Sequence, residues 1–377
     1  MTHRDRVMMA INHEEPDRVP IDLGSNGNLI VDDCHLKVRK MLGLTGEPQV
    51  YRKGSTTSFY DEQLLEAFDV DFRHVWLDSP DKPKAIVNED GTVTDMWGVT
   101  WAYGGSHPAF YPLKGASDQE VLDYKAPMPT KWDTTATAER ARFLRQETDF
   151  AVVGKSIIGP GGMFERVAYL RSIDDFFVDM MVNKDLAHYL INQIVDVEIA
   201  FWDMFLDAAG ENVDMVQKVA DLGTQTGLFI SKELFREFIK PAEARVFEFI
   251  KKKAPNVKLW FHSCGAVSEI IDDFLDWEID ILNPIQPLAT GMDSYELKKR
   301  FGDKVCFHGG IDLQRAMPGS VDDVKREVET RVKALAPGGG YILAPANHIQ
   351  NDTPPENVIT LYEYAKEYGT YPIAGTK

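Results

Sequence analysis

Cysteine is scarce in this 377-residue sequence, which holds Cys34, Cys264 and Cys306 and no others. Three scattered thiols exclude a disulfide framework and fit a reducing compartment. Long apolar runs are missing too: no stretch approaches the roughly 18 residues that a membrane span needs. The first residues lack an apolar run followed by a small-residue cleavage site, so no secretory leader is expected and the cytoplasm is the expected location. Positive charge is in short supply, with 41 Lys and Arg against 59 Asp and Glu and a formal net charge of -18. A surface that acidic repels phosphate backbones and anionic lipid, which argues against nucleic-acid and membrane-surface roles. Internal repeats and low-complexity tracts are absent as well.

What is present is the material of a large core: 44% of the residues are hydrophobic and 27% are charged. Thr2 can cap an opening helix whose stripe is Val7, Met8, Ala10 and Ile11, and Pro16 ends it. Eight short apolar runs follow, at 19–24, 70–77, 150–154, 213–220, 257–262, 279–284, 304–310 and 341–345. Between them lie helical periodicities such as Val267, Ile270, Ile271, Phe274, Leu275 and Val324, Val328, Val332, Leu335. Strands alternating with helices imply a parallel sheet, and eight such units favour closure. The expected fold is therefore α/β, a (β/α)8 TIM-type barrel forming a single catalytic domain over residues 1–377. One interruption stands out: Ala85–Val87 and Thr92–Thr94 flank Glu89-Asp90-Gly91, a hairpin signal within an insertion at 81–125.

In such a barrel, chemistry collects where strands run into the loops before the helices. His262 and Cys264, at the end of the fifth run, are two apart, which puts both on one face of a strand. Imidazole beside thiolate suits zinc; the plain alternative is a hydrogen-bonded core histidine and a small buried cysteine. A third ligand must come from elsewhere, and His348 at the last strand's exit is the expected one. Cys306 is its rival but lies deeper in its strand, where packing is the simpler role. His308 is placed to face the site as a hydrogen-bond donor. Asp221 and Asp312 read either as acid/base or supporting carboxylates or as caps of the following helices. Asn283 and Gln286 end the sixth run in polar groups that can meet a substrate. Glu165 follows a glycine-rich exit, Gly159-Pro160-Gly161-Gly162, open to a planar ligand but without a phosphate-binding spacing. Trp76, Phe164 and Tyr169 either sandwich an aromatic ring or belong to the core.

Three stretches together look familiar: Phe261-His262-Ser263-Cys264-Gly265, Phe307-His308-Gly309-Gly310-Ile311-Asp312 and Thr353-Pro354-Pro355-Glu356-Asn357. With the opening from Arg4 to Pro20, they resemble the uroporphyrinogen decarboxylase-like superfamily, least so around 81–145. The resemblance implies a (β/α)8-type barrel and one of two chemistries. Decarboxylases of the family carry an arginine-rich loop after the first strand; here that stretch, residues 21–28, has no arginine. A porphyrinogen bearing many carboxylates would find poor electrostatic company there. The other branch comprises zinc-dependent methyltransferases that work with corrinoid (cobalamin) proteins, whose motif is His-x-Cys and a much later Cys.

The sequence matches that motif at His262 and Cys264, but where the later Cys belongs it reads Ala346-Asn347-His348. The resemblance thus implies less a methylcorrinoid:thiol methyltransferase than the substrate-side methyltransferase of an O-demethylase. Such an enzyme moves a methyl group from a methoxylated aromatic to the Co(I) corrinoid of a partner protein, a step of one-carbon metabolism. Two other readings stay open. One is a metal-independent decarboxylase using Asp221 or Asp22 to handle the proton; the other is a non-catalytic barrel that only binds a corrinoid protein. A homodimer also stays open.

Overall fold

The computed structural model describes residues 1–52, 54–102, 107–155, 157–158 and 161–373. Seven parallel strands form one sheet: β1 (Phe72–Val75), β2 (Ala151–Gly154), β3 (Met215–Val219), β4 (Lys258–His262), β5 (Ile281–Ile285), β6 (Cys306–Ile311) and β7 (Tyr341–Pro345). Each pairs with the next in chain order. Nearly every strand residue is buried, as expected when helices cover a parallel sheet from outside. Those helices include Thr135–Glu147, Lys184–Ala209, Lys240–Lys253, Val321–Leu335 and Pro355–Tyr368. The expected stripe Val324, Val328, Val332 and Leu335 is the buried face of one of them. The opening helix, His3–Ile11, is capped by Thr2 as its sequence predicts.

The first expected strand, 19–24, takes a different form. It is an extended segment that joins β1 to β7 by single contacts rather than a ladder. Asp22 N–H donates to Leu343 O at 3.0 Å, Leu343 N–H to Pro20 O at 2.9 Å, and Asp71 N–H to Ile21 O at 3.1 Å. Pro20 has no N–H to offer, and the Ile21 N–H goes to the Asp71 carboxylate at 2.8 Å instead of a backbone carbonyl. The ring still closes, and the TIM-type architecture read from the sequence is borne out.

Strand alternation sorts the side chains. On β4, Phe261 packs outward against Phe274 and Trp277, with ring centroids 4.9 and 5.1 Å away. Trp260 points inward, where its ring lies 4.3 Å from that of His308 on β6. His262 shares the inward face and stands at the strand's end.

The insertion holds more than the expected hairpin. Ile86–Val87 and Val93–Thr94 pair antiparallel as predicted, and Thr100–Trp101 and Pro108–Phe110 extend them to a four-stranded sheet. The second turn is built by Asp95, whose carboxylate accepts from the N–H groups of Trp97 at 2.9 Å and Val99 at 3.1 Å. Arg166 ties this sheet to the barrel through Asp95 at 3.3 Å and lies 4.8 Å from the Trp97 ring centroid. Among the described residues, no helix is long and apolar enough to cross a membrane.

Candidate metal centre

At the barrel mouth, the exits of β3 and β4 meet. Asp221, His262 and Cys264 each aim one ligand atom at a common point, all within 4.8 Å of one another. His262 Nε2 lies 3.4 Å from Cys264 Sγ and 3.4 Å from Asp221 Oδ1. The Cys264 N–H donates to the same Asp221 oxygen at 3.0 Å. Glycine permits this approach. Gly265 adopts φ +88°, and a Cβ there would come within 2.4 Å of the Gly223 carbonyl carbon. A Cβ on Gly223 would in turn meet Cys264 O and Ala266 N at 2.8 Å. The two loops thus cross backbone against backbone, and Ser263 Oγ accepts the Leu222 N–H at 3.1 Å to lock the crossing.

Behind His262 runs a directional chain of hydrogen bonds. Its Nδ1–H donates to Asn283 Oδ1, and Asn283 Nδ2 donates to His308 Nδ1 at 2.6 Å. His308 Nε2–H then donates to Asp22 Oδ2 at 3.0 Å, an oxygen that also accepts from Asn28 Nδ2 at 2.7 Å. The tautomers follow from this network: an acidic end at Asp22 and an amide that must present its oxygen to one ring and its nitrogen to the other. The consequence is a His262 whose Nε2 faces Asp221 and Cys264, where it holds a proton toward the Asp221 carboxylate or, once that proton leaves, offers a lone pair.

The electrostatics describe a place for a cation. Burial pushes the Cys264 thiol well up, and the charges of Asp221 and Glu165 push it the same way. Burial also raises the Glu165 carboxyl, helped by repulsion from Asp221. Burial would lower the His262 imidazole, but the hydrogen bond and charge of Asp221 outweigh it and leave it raised. An imidazole nitrogen, a carboxylate oxygen and a sulfur that needs a positive neighbour to ionise form a donor set that fits zinc.

The other expected residues fall in distinct places. His348, expected as the third ligand, stands outside the group, whose third member is Asp221. The His348 Nδ1 accepts the Leu29 N–H at 3.0 Å, while the preceding Asn347 reaches Cys264 Sγ at 3.5 Å. Burial, followed by the charges of Arg52, His262 and Lys155, pushes His348 down to about 3. Cys306 is wholly buried within β6, with its thiol pushed up to about 12 by burial. Gln286 braces the cysteine loop, accepting the Gly265 N–H at 2.9 Å and donating to Ala346 O at 3.3 Å. Glu165 accepts the N–H groups of Gly162, at 2.9 Å, and of Asp221, so it positions the β3 exit. Gly159 and Pro160 of the glycine-rich exit lie outside the described residues. Asp312 accepts the Gln314 N–H at 2.7 Å in a local turn.

Of the three aromatics, Trp76 packs on Tyr51 and Tyr60 with centroids 4.6 and 5.2 Å away. Phe164 is buried against Phe176, and Tyr169 faces Trp101 of the insertion. Asn347, Asn26 and Gly27 also belong to this mouth, although the sequence assigns none of them a role there. Gly27 abuts His262 so closely that a Cβ on it would lie 2.4 Å from His262 Cε1. Its signal was the run Gly24-Ser25-Asn26-Gly27-Asn28, two glycines and two asparagines just past the first segment.

The fold and this mouth define a barrel of a known class, and sequence comparison places it. The chain belongs to the uroporphyrinogen decarboxylase (URO-D) family, whose model matches residues 93–368. The resemblance read from the motifs is borne out at that level. Among curated relatives, the methylcobamide:CoM methyltransferase MtaA of Methanosarcina barkeri is 25% identical over 236 residues, covering 62% of this chain and 63% of the relative. A uroporphyrinogen decarboxylase from Rickettsia felis is 26% identical over 186 residues, 49% of this chain and 50% of the relative. The chain thus spans 63% of the length of MtaA, and half that of the decarboxylase. A solved methyltransferase from Methanosarcina mazei shares the fold with TM-score 0.64 and 16% identity, covering 98% of this chain and 99% of that one.

Proposed function

We propose that this protein is a zinc-dependent methyltransferase that takes the methyl group of a methoxylated aromatic and passes it to the Co(I) corrinoid of a partner protein. The observation that supports it best is the Asp221–His262–Cys264 cluster at the barrel mouth, in a family with a corrinoid methyltransferase among its relatives. Zinc in that cluster supplies a Lewis acid for an ether oxygen that must leave as a phenolate.

The chain's own residues prepare the site. Asn283 fixes the His262 ring, and the line through His308 to Asp22 holds its Nδ1 proton so that Nε2 stays free to ligate. Asn347 reaches the Cys264 sulfur, and the Asp221 carboxylate holds the Cys264 N–H. The set has one sulfur, one nitrogen and one oxygen. It is harder than a site with two thiolates, which favours an oxygen leaving group over activation of an incoming thiol. The decarboxylase reading has less support, since residues 21–28 offer no arginine to porphyrinogen carboxylates.

The test pairs metal analysis with methyl transfer. Purified protein is expected to hold stoichiometric zinc and to convert a reduced corrinoid protein to its methylated form, seen in its absorbance spectrum, when given a methoxylated arene. Asp221→Ala, His262→Ala and Cys264→Ala should lose both zinc and transfer. Full demethylation after metal removal would sink the proposal.

A further inference from the structure

We infer that Lys155 and Arg52 form a carboxylate subsite, so that the methyl-donating arene carries an acidic group opposite its methoxy group. This rests on the methyltransferase reading given above. Lys155 directly follows β2, and its side chain is fully buried. Its Nζ donates to Gly24 O at 2.6 Å, its one hydrogen bond among the described residues, and lies 4.5 Å from the Tyr51 ring centroid and 5.8 Å from that of Tyr60. Arg52 is half-buried; its Nη2 donates to Asn26 Oδ1 at 3.0 Å and its Cζ lies 5.3 Å from the same Tyr51 ring. Neither cation has a carboxylate partner among the described residues.

That is anomalous in a chain of net charge -18. Arg6, Arg18, Arg39, Arg73, Arg171 and Lys218, all buried, each pair with an acid. Burial, then the charge of Arg52, pushes the Lys155 ammonium well down; the charge of Asp22, which makes no ion pair with it, opposes this, and the ring faces and one backbone carbonyl offset only part of the cost. An anion from outside would complete the site. The wall beside the cations is aromatic, made of Tyr51, Tyr60 and Trp76, which suits the flat ring of such a ligand.

The geometry also links the cations to the metal centre. One loop, residues 24–28, is held by Lys155 at Gly24 and by Arg52 at Asn26, and touches His262 at Gly27. Both loop acceptors are neutral, so an ionised carboxylate outcompetes them. A carboxylate held at the cations then lies against the same loop that meets His262 at Gly27.

Calorimetric binding of benzoate, 4-methoxybenzoate and methoxybenzene tests this without any methyl transfer. The two carboxylates should bind, the neutral ether at least about tenfold more weakly. Arg52→Gln and Lys155→Met should each weaken carboxylate binding by about tenfold or more and leave methoxybenzene unchanged. Arg52→Gln keeps the test sound if Lys155→Met fails to fold. Equal binding of acid and ether, no binding of either acid, or variants that bind all probes like the parent would overturn the subsite. Carboxylate binding that depends on both cations, with no methyl transfer to a corrinoid protein, would uphold the subsite and remove the function it was built on.

Discussion

At the base of the barrel, where the strands begin, Asp71 is gripped by Arg6 at 2.6 Å and Arg18 at 2.8 Å, and those arginines reach on to Asp17 and Asp69. At the mouth, where strands end, the groups are sorted by sign: Asp221, Glu165 and Cys264 crowd one side, Lys155 and Arg52 the other. The base satisfies its charges within itself and fastens the short closing segment through Ile21. The mouth sets the Cys264 thiol beside two acids and leaves Lys155 with no ion pair among the described residues. Buried charge that is internally paired holds a fold together, whereas buried charge left unpaired marks where something else binds.

Removing the base acid should have the largest effect. Asp71→Ala takes the buried carboxylate from two guanidinium groups, leaving them only the more exposed Asp17 and Asp69, and unties the closing segment, so urea unfolding should show a loss of about 3 kcal/mol. Zinc content per folded molecule should stay as in the parent; a matching loss of zinc would dissolve the distinction between the two ends. Next comes the amide behind the metal centre. Asn283→Ala frees the His262 ring and breaks the line to Asp22, and competition with a chelator should report zinc affinity reduced by about 10- to 100-fold. Unchanged affinity would mean the ring is held by packing alone.

The smallest effect concerns acid. The His348 value, about 3, lies below the ordinary 6.5, so the unfolded chain takes up that proton first. Stability from the neutral ring is complete above about 6.5 and is lost as pH falls toward 3. Because His348 is partly exposed, the loss between pH 7 and 4.5 should be on the order of 1 kcal/mol. His348→Gln should lose correspondingly less over that range in paired denaturation curves. Parallel curves would show that the ring titrates normally.

Much of this was legible in the chain. Seven of the eight apolar runs are strands of one sheet, because period and length report burial on both faces. The first is not a regular strand, since Pro20 and the Asp71 carboxylate remove ladder partners that no periodicity encodes. The insertion was half seen: the Asp-Gly turn announced the hairpin, while its outer strands, two and three residues long, were too short to show alternation. At the site, His-x-Cys was readable because two residues apart on a strand means one face. The approach of Asp221 was not readable, for it depends on two loops crossing in space. Lys155 did leave a trace, a lysine directly after the apolar run ending at Gly154.

That crossing has a consequence for anyone mapping this protein by mutation. The spacing between carboxylate and thiol is set by two missing side chains, Gly223 and Gly265, rather than by any group that does chemistry. A survey of inactivating substitutions should therefore score these glycines alongside Asp221, His262 and Cys264 themselves. Read only by side-chain chemistry, such a map would show a gap in the middle of its own hot spot.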